Sequence, residues 1–133
     1  MTKPTLDHIG IAVKSIEAAK IYKALGLDVD HIEDVQTQGV KTAFLSVGGV
    51  NIELLEPLSP SSTVAKFIEK RGEGIHHICF RVDKIEPHLE RLKAEGYRLI
   101  NDAPVPGADG CRVAFLHPSA GNGVLIELSE KHD

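Results

Sequence analysis

The sequence contains a copy of itself. Leu6-Asp7-His8-Ile9-Gly10-Ile11-Ala12-Val13 aligns with Ile75-His76-His77-Ile78-Cys79-Phe80-Arg81-Val82, with His8 falling on His77 at an offset of 69. Lys23-Ala24-Leu25-Gly26 then aligns with Lys93-Ala94-Glu95-Gly96 at 70, and Val40-Lys41-Thr42-Ala43-Phe44-Leu45 with Cys111-Arg112-Val113-Ala114-Phe115-Leu116 at 71. The last match, Gly49-Val50-Asn51-Ile52-Glu53-Leu54 on Gly123-Val124-Leu125-Ile126-Glu127-Leu128, stands at 74. The matches keep their order and the offset grows in one direction, as it must if duplicated halves differ only in loop length. The final step falls in His117-Pro118-Ser119-Ala120-Gly121-Asn122, a longer connection than its counterpart Ser46-Val47-Gly48. A duplicated chain is two similar supersecondary units, and this restricts the fold more than any total does.

Each half reads strand, helix, three strands. In the first, Thr5–Val13 alternates as a strand, and Ser15 is an N-cap candidate for a helix ending near Gly26, with Ile16, Ala19 and Tyr22 on its apolar side. Strands are expected near Leu27–Glu33, Gly39–Val47 and Asn51–Glu56, then a hinge at Pro57 and Pro60 and a bridging helix near Ser62–Lys70. The second half gives a strand at Gly74–Val82, a helix capped by Asp83 that runs to Gly96 with Pro87 in its early part, and strands near Tyr97–Ile100, Gly110–His117 and Val124–Ser129. The expected class is therefore α+β: two tandem βαβββ modules forming a cupped, mostly antiparallel eight-stranded sheet with helices on the outer face. With 133 residues the chain suits one domain, module one at about 5–57, a linker helix at about 61–71 and module two at about 74–130.

Alternation along the strands sorts the side chains by face. Ile9, Ile11 and Val13 share a phase that His8 does not, and Ile78, Phe80 and Val82 share one that His77 does not. Val50, Ile52 and Leu54 oppose Glu53; Val124, Ile126 and Leu128 oppose Glu127. Every strand thus sends its aliphatic side chains to one layer and a single His or Glu to the other. If the halves pack with pseudo-two-fold symmetry, two imidazoles and two carboxylates converge, a donor set suited to a divalent metal with positions left for ligand oxygens. Two carboxylates in a partly apolar cup also call for a cation. The remaining histidines lack this support. His76 lies on the phase opposite His77 and reads as a hydrogen-bonding residue at the core edge; His31, His88 and His132 read as solvated; His117, before Pro118, reads as a loop element or a pocket residue.

A net charge of −4 argues against a nucleic-acid partner, since phosphate binding wants a basic face. No apolar run approaches a membrane span, and Met1-Thr2-Lys3-Pro4 leads into a strand-like segment without an apolar signal core. Two cysteines, Cys79 and Cys111, form no CxxC, which fits a reducing compartment; the expected location is the cytoplasm.

The paired module with one His and one Glu in each half resembles the vicinal oxygen chelate (glyoxalase/bleomycin resistance/dioxygenase) superfamily. Within it, Leu6-Asp7-His8-Ile9-Gly10-Ile11-Ala12-Val13, Ile52 through Leu58, Gly72-Glu73-Gly74-Ile75-His76-His77-Ile78 and Phe115-Leu116-His117-Pro118 through Leu128 resemble the methylmalonyl-CoA epimerases, over nearly the whole chain. The resemblance implies a divalent metal (cobalt, manganese or a similar ion) held by His8, Glu53, His77 and Glu127, an acyl-CoA substrate and a homodimer. It also implies proton transfer at C2 with Glu127 as one base. Some members carry the second base where this chain has Thr42, which cannot serve, so Glu53 takes that role; a lysine is common where this chain has Ser119. Lys41, Lys66, Lys70, Arg71, Arg81 and Arg112 are cations available to a coenzyme A tail, although a solvated face is the simpler reading of each. A lactoylglutathione lyase of the glyoxalase I type, an extradiol dioxygenase and a metal-free small-molecule binder of the same fold are the alternatives.

Overall fold

The computed structural model describes residues 2–107 and 110–131. His132, expected in solvent, lies outside them. The elements run β1(Thr5–Ala12), α1(Ile21–Ala24), β2(His31–Val35), β3(Val40–Val47), β4(Val50–Pro57), α2(Thr63–Arg71), β5(Gly74–Arg81), α3(Ile85–Ala94), β6(Val105–Pro106), β7(Cys111–Leu116) and β8(Leu125–Lys131). Residues 8–76 cluster as one compact unit; the opening residues up to Asp7, with those from His77 onward, cluster as another.

In the first-half unit β2 and β3 pair antiparallel, β3 and β4 pair antiparallel, and β4 and β1 run parallel. The second-half unit repeats this: β6–β7 and β7–β8 antiparallel, β8–β5 parallel. Hydrogen bonds outside the ladders repeat as well. Val13 N–H donates to Leu55 O at 3.0 Å and Val82 N–H to Ser129 O at 2.9 Å; Leu27 N–H donates to Tyr22 O at 2.8 Å and Tyr97 N–H to Leu92 O at 2.9 Å. The duplication read from side chains is thus also a duplication of backbone geometry.

Each unit buries its aliphatic phase against its helical layer. One core gathers Val13, Ala43, Leu45 and Leu54, with Ile11, Ile16, Ala19, Tyr22, Leu27 and Ile52 against it. The other gathers Val82, Ile85, Leu89, Ala114, Leu116 and Leu128, with Phe80, Leu92, Leu99 and Ile126. Among them are Ile11, Val13, Ile52 and Leu54, and Phe80, Val82, Ile126 and Leu128, which strand alternation assigned to one layer, and hydrophobic burial is what fixes the strand register.

The helices depart from expectation. The first spans only Ile21–Ala24, with Lys20 at its N-cap and no side-chain cap, so Ser15 is not the cap. Its apolar residues explain why. Ile16, Ala19 and Tyr22 recur every three positions, a period that tight turns satisfy, whereas Ile85, Leu89 and Leu92 follow the four-three spacing of an α-helix. Ala19 also stands where the second half has Leu89. The smaller side chain leaves a cavity of about 310 Å³ lined by Ile16, Ala19, Tyr22, Leu27, Leu45 and Leu54, among others.

Asp83 does not cap α3 either. That helix begins after Lys84, and Ile85 N–H donates to the Glu130 carboxylate at 2.9 Å, just as Ile16 N–H donates to Glu56 at 2.9 Å in the first half. In the second half a carboxylate from the last strand thus takes the place of the local cap; in the first it holds the turn that precedes the short helix. The strand expected at Tyr97–Ile100 is reduced to one bridge, Leu99 to Leu116, and pairing is taken over by the short β6. Pro104 and Pro106 lack the N–H that a longer ladder needs. In the first half the ladder likewise begins later than expected, at His31 rather than Leu27.

The helix expected near Ser62–Lys70 spans Thr63–Arg71, and Ser62 caps it, accepting from Ala65 N–H at 3.1 Å. Gly39, in the left-handed region at φ 67°, turns the chain into β3 next to this cap, where an added Cβ would lie 3.1 Å from Ser62 Cβ. Ser62→Ala is expected to destabilise the fold by about 1 kcal/mol, read as a lower urea midpoint at unchanged slope.

Acid should weaken the second-half helix start. Arg112 reaches Glu130 at 2.8 Å and Glu86 at 3.1 Å. Burial pushes the Glu130 carboxyl up, but the Ile85 N–H and the Arg112 guanidinium outweigh it and hold the group below its ordinary value. Glu86 is lowered chiefly by its hydrogen bond to Arg112. A carboxyl whose folded pKa lies below its unfolded value stabilises fully above the unfolded value, near 4.5, and that contribution is lost as pH falls through the folded value. Arg112→Met is therefore expected to lower the urea midpoint at pH 7, with a smaller difference from wild type at pH 3.

Candidate metal centre

Register places the candidate ligands on the face turned away from the helices. In the parallel β1–β4 pair Gly10 is opposite Glu53, so Glu53 shares a face with Gly10 and therefore with His8. In the β5–β8 pair Cys79 is opposite Glu127, which puts Glu127 on the face of His77. The side chains meet accordingly: His8 Nδ1 lies 3.0 Å from Glu53 Oε2, and His77 Nε2 lies 3.0 Å from Glu127 Oε1. All four residues are buried, between 5% and 7% exposed.

This geometry suits a divalent ion. Two donors each about 2.1 Å from a common ion and at right angles stand about 3.0 Å apart. The separation also suits an imidazole–carboxylate hydrogen bond, which satisfies each pair when no ion is shared. The donor set is nitrogen and oxygen in equal number, the chemistry of zinc, cobalt or manganese rather than of a thiolate-seeking metal. A carboxylate this deeply buried is costly, and a cation offsets that cost.

Around the pairs stand residues that strand phase could have flagged. Phe44 is opposite Glu53 and Phe115 opposite Glu127, so the duplicated phenylalanine lies beside the carboxylate in both halves. Phe115 meets the His77 ring edge-on at 6.1 Å, and Phe44 stacks on His31 at 4.3 Å. His31 is therefore not merely solvated; it is half-exposed, ring-stacked and 3.9 Å from Glu33. Thr42 is buried on the same face, opposite Glu33. Ser129 supplies a second buried hydroxyl there, and its Oγ lacks a hydrogen-bond partner.

The other candidates divide. His76 packs edge-on against Phe67 at 5.0 Å, and His88 is partly buried on α3. His117 is a loop element: its Nδ1 accepts from Ser119 N–H at 3.0 Å and caps the turn at Pro118–Gly121, while the Ser119 hydroxyl lies 2.8 Å from the same nitrogen. Among the cations, Arg81 pairs with Asp7 at 3.3 Å, Arg71 lies over the Phe67 ring, and Arg112 is held by the two glutamates described above.

A tandem βαβββ repeat that carries one buried His–Glu pair per half defines a class. The profile of the Glyoxalase/Bleomycin resistance protein/Dioxygenase superfamily matches residues 7–115, and the chain belongs to that superfamily. A crystal structure of a hypothetical protein from Bacillus halodurans is 52% identical, with a TM-score of 0.94 over 99% of this chain and 97% of that one. More specifically, an ethylmalonyl-CoA/methylmalonyl-CoA epimerase of Cereibacter sphaeroides is 41% identical over 94% of this chain and 96% of its own length. A methylmalonyl-CoA epimerase solved with methylmalonyl-CoA and NH4+ is 36% identical, with a TM-score of 0.91 over 98% of this chain and 96% of that chain. The expected fold class is thereby established, and no helix among the described residues is long and apolar enough to cross a membrane.

Proposed function

We infer that this chain is a methylmalonyl-CoA epimerase, an isomerase that interconverts the 2R and 2S forms by moving a proton at C2. The observation that carries the reading is the duplicated buried His–Glu pair, set in a chain that resembles enzymes of this activity from end to end. His8, Glu53, His77 and Glu127 are assigned to one divalent ion. When bound, that ion supplies positive charge beside the thioester carbonyl, where negative charge develops as the C2–H bond breaks.

The chain's own groups do the rest. Glu127 takes the C2 proton, and the electron pair of that bond moves toward the thioester carbonyl. Glu53, from the other half of the repeat, returns a proton to the opposite face of C2, the role that Thr42 cannot fill. Each half alone offers one imidazole and one carboxylate, so we treat the two modules and α2 as a single catalytic domain. Phe44, which is buried, and Phe115, which is partly buried, support this chemistry by limiting water around the carboxylates. Cys79 and Cys111 are thiols rather than a disulfide, which supports assignment to the cytoplasm. A homodimer is the proposed assembly.

The test uses metal-loaded protein in deuterated water, with methylmalonyl-CoA in one reaction and methylglyoxal plus glutathione in another. Deuterium at C2 in the first alone supports the epimerase. Lactoylglutathione in the second would make the chain a glyoxalase I, and a protein that retains no metal after loading and forms neither product would be a binding module.

A further inference from the structure

The two His–Glu pairs are alike, but the two ends of a malonyl thioester are not. The halves repeat the histidine, the glutamate and the phenylalanine beside it, yet they differ at the residue that flanks both ligands of a pair. In the first half this is Asn51. It is opposite His8 in the parallel β1–β4 register and precedes Glu53 by two positions, about 7 Å along the same face of the strand. In the second half it is Leu125, opposite His77 and two positions before Glu127. The offset of 74 that relates Glu53 to Glu127 also relates these two residues. Both are half-buried, and their side chains have nearly the same shape, so the module accepts either. The difference is chemical. Ser46, opposite Asn51 on β3, donates from Oγ to Asn51 Oδ1 at 3.4 Å. That contact holds the carboxamide by its oxygen, and the NH2 group is the donor that Asn51 presents to a ligand. Leu125 presents only hydrocarbon.

We propose that Asn51 is a specificity-determining residue, which donates a hydrogen bond to the free carboxylate of the substrate and so sets which way round the substrate lies. The inference rests on the epimerase reading. A malonyl thioester reaches a metal through two unlike oxygens, one from the carboxylate and one from the thioester carbonyl. Equivalent His–Glu pairs do not tell these apart. With one carboxylate oxygen on the metal, the other still accepts, and a hydrogen bond from an amide N–H to an ionised oxygen is among the stronger ones. Position 51 supplies that donor and position 125 does not. Orientation matters to the reaction itself. A substrate turned end for end shows the opposite face of C2 to each base, so one fixed orientation decides which of Glu53 and Glu127 meets which epimer.

The test compares metal-loaded wild type with Asn51→Leu, which installs the second half's own residue. Two constants are measured: KM for methylmalonyl-CoA, from deuterium exchange at C2, and the inhibition constant of propionyl-CoA, a thioester that lacks the carboxylate. The expected result is a KM raised about 10- to 100-fold, with kcat changed less. The propionyl-CoA constant, the metal content and the urea midpoint should stay close to wild type. Asn51→Asp keeps the shape but replaces the donor with an anion; it should raise KM further, and it serves if Asn51→Leu does not fold. Two constants that rise together would make Asn51 a wall of the pocket, and a KM that does not move would remove the contact. Either result overturns the proposal while leaving the epimerase reading intact. A wild type that exchanges no deuterium would overturn that reading, and this inference with it.

Discussion

Glu127→Gln is expected to slow deuterium exchange at C2 of methylmalonyl-CoA by about 10²- to 10⁴-fold while the fold survives. The amide keeps the shape of the carboxylate and an oxygen to offer a metal, but it accepts no proton near neutral pH. Metal content by elemental analysis should therefore stay close to wild type, which separates loss of a base from loss of a ligand. Glu53→Gln should behave differently if the two carboxylates serve opposite faces of C2. One epimer should still exchange its proton, whereas interconversion of the two should fail. A Glu127→Gln protein with full activity would remove the base from this account.

Removing the metal is expected to abolish exchange and to lower the melting temperature, and added cobalt or manganese should restore both. An ion present at about 100 times its dissociation constant stabilises the folded state by about 2.7 kcal/mol. For a chain of 133 residues that corresponds to a shift of roughly 10 °C. His8→Ala should lose most of this metal-dependent shift, because it withdraws one nitrogen donor and leaves Glu53 buried without its 3.0 Å partner. A melting temperature indifferent to chelator, metal and His8→Ala would mean that the His–Glu pairs are structural hydrogen bonds.

How much of this could be read from the sequence depended on the range of the interaction. The facing of His8, Glu53, His77 and Glu127 was legible because alternation along a strand is a local property, and the repeat gave each residue a second instance. The same logic was available for Phe44 and Phe115, which occupy one duplicated position beside the carboxylates. The helix starts were less legible. Ser15 and Asp83 looked like caps, but the groups that accept from Ile16 and Ile85 are Glu56 and Glu130, 40 and 45 residues away. Local cap preference cannot see a carboxylate delivered by a later strand. The shortened first helix was written in the three-residue spacing of Ile16, Ala19 and Tyr22, which a search for helical faces accepts too readily.

The account is tested most directly by diffraction from crystals of cobalt-loaded protein, recorded at the cobalt absorption edge. It predicts one strong anomalous peak per chain with donor atoms of His8, Glu53, His77 and Glu127 all about 2.0–2.3 Å away. A peak bound to one pair alone, or none near any of the four, would contradict it.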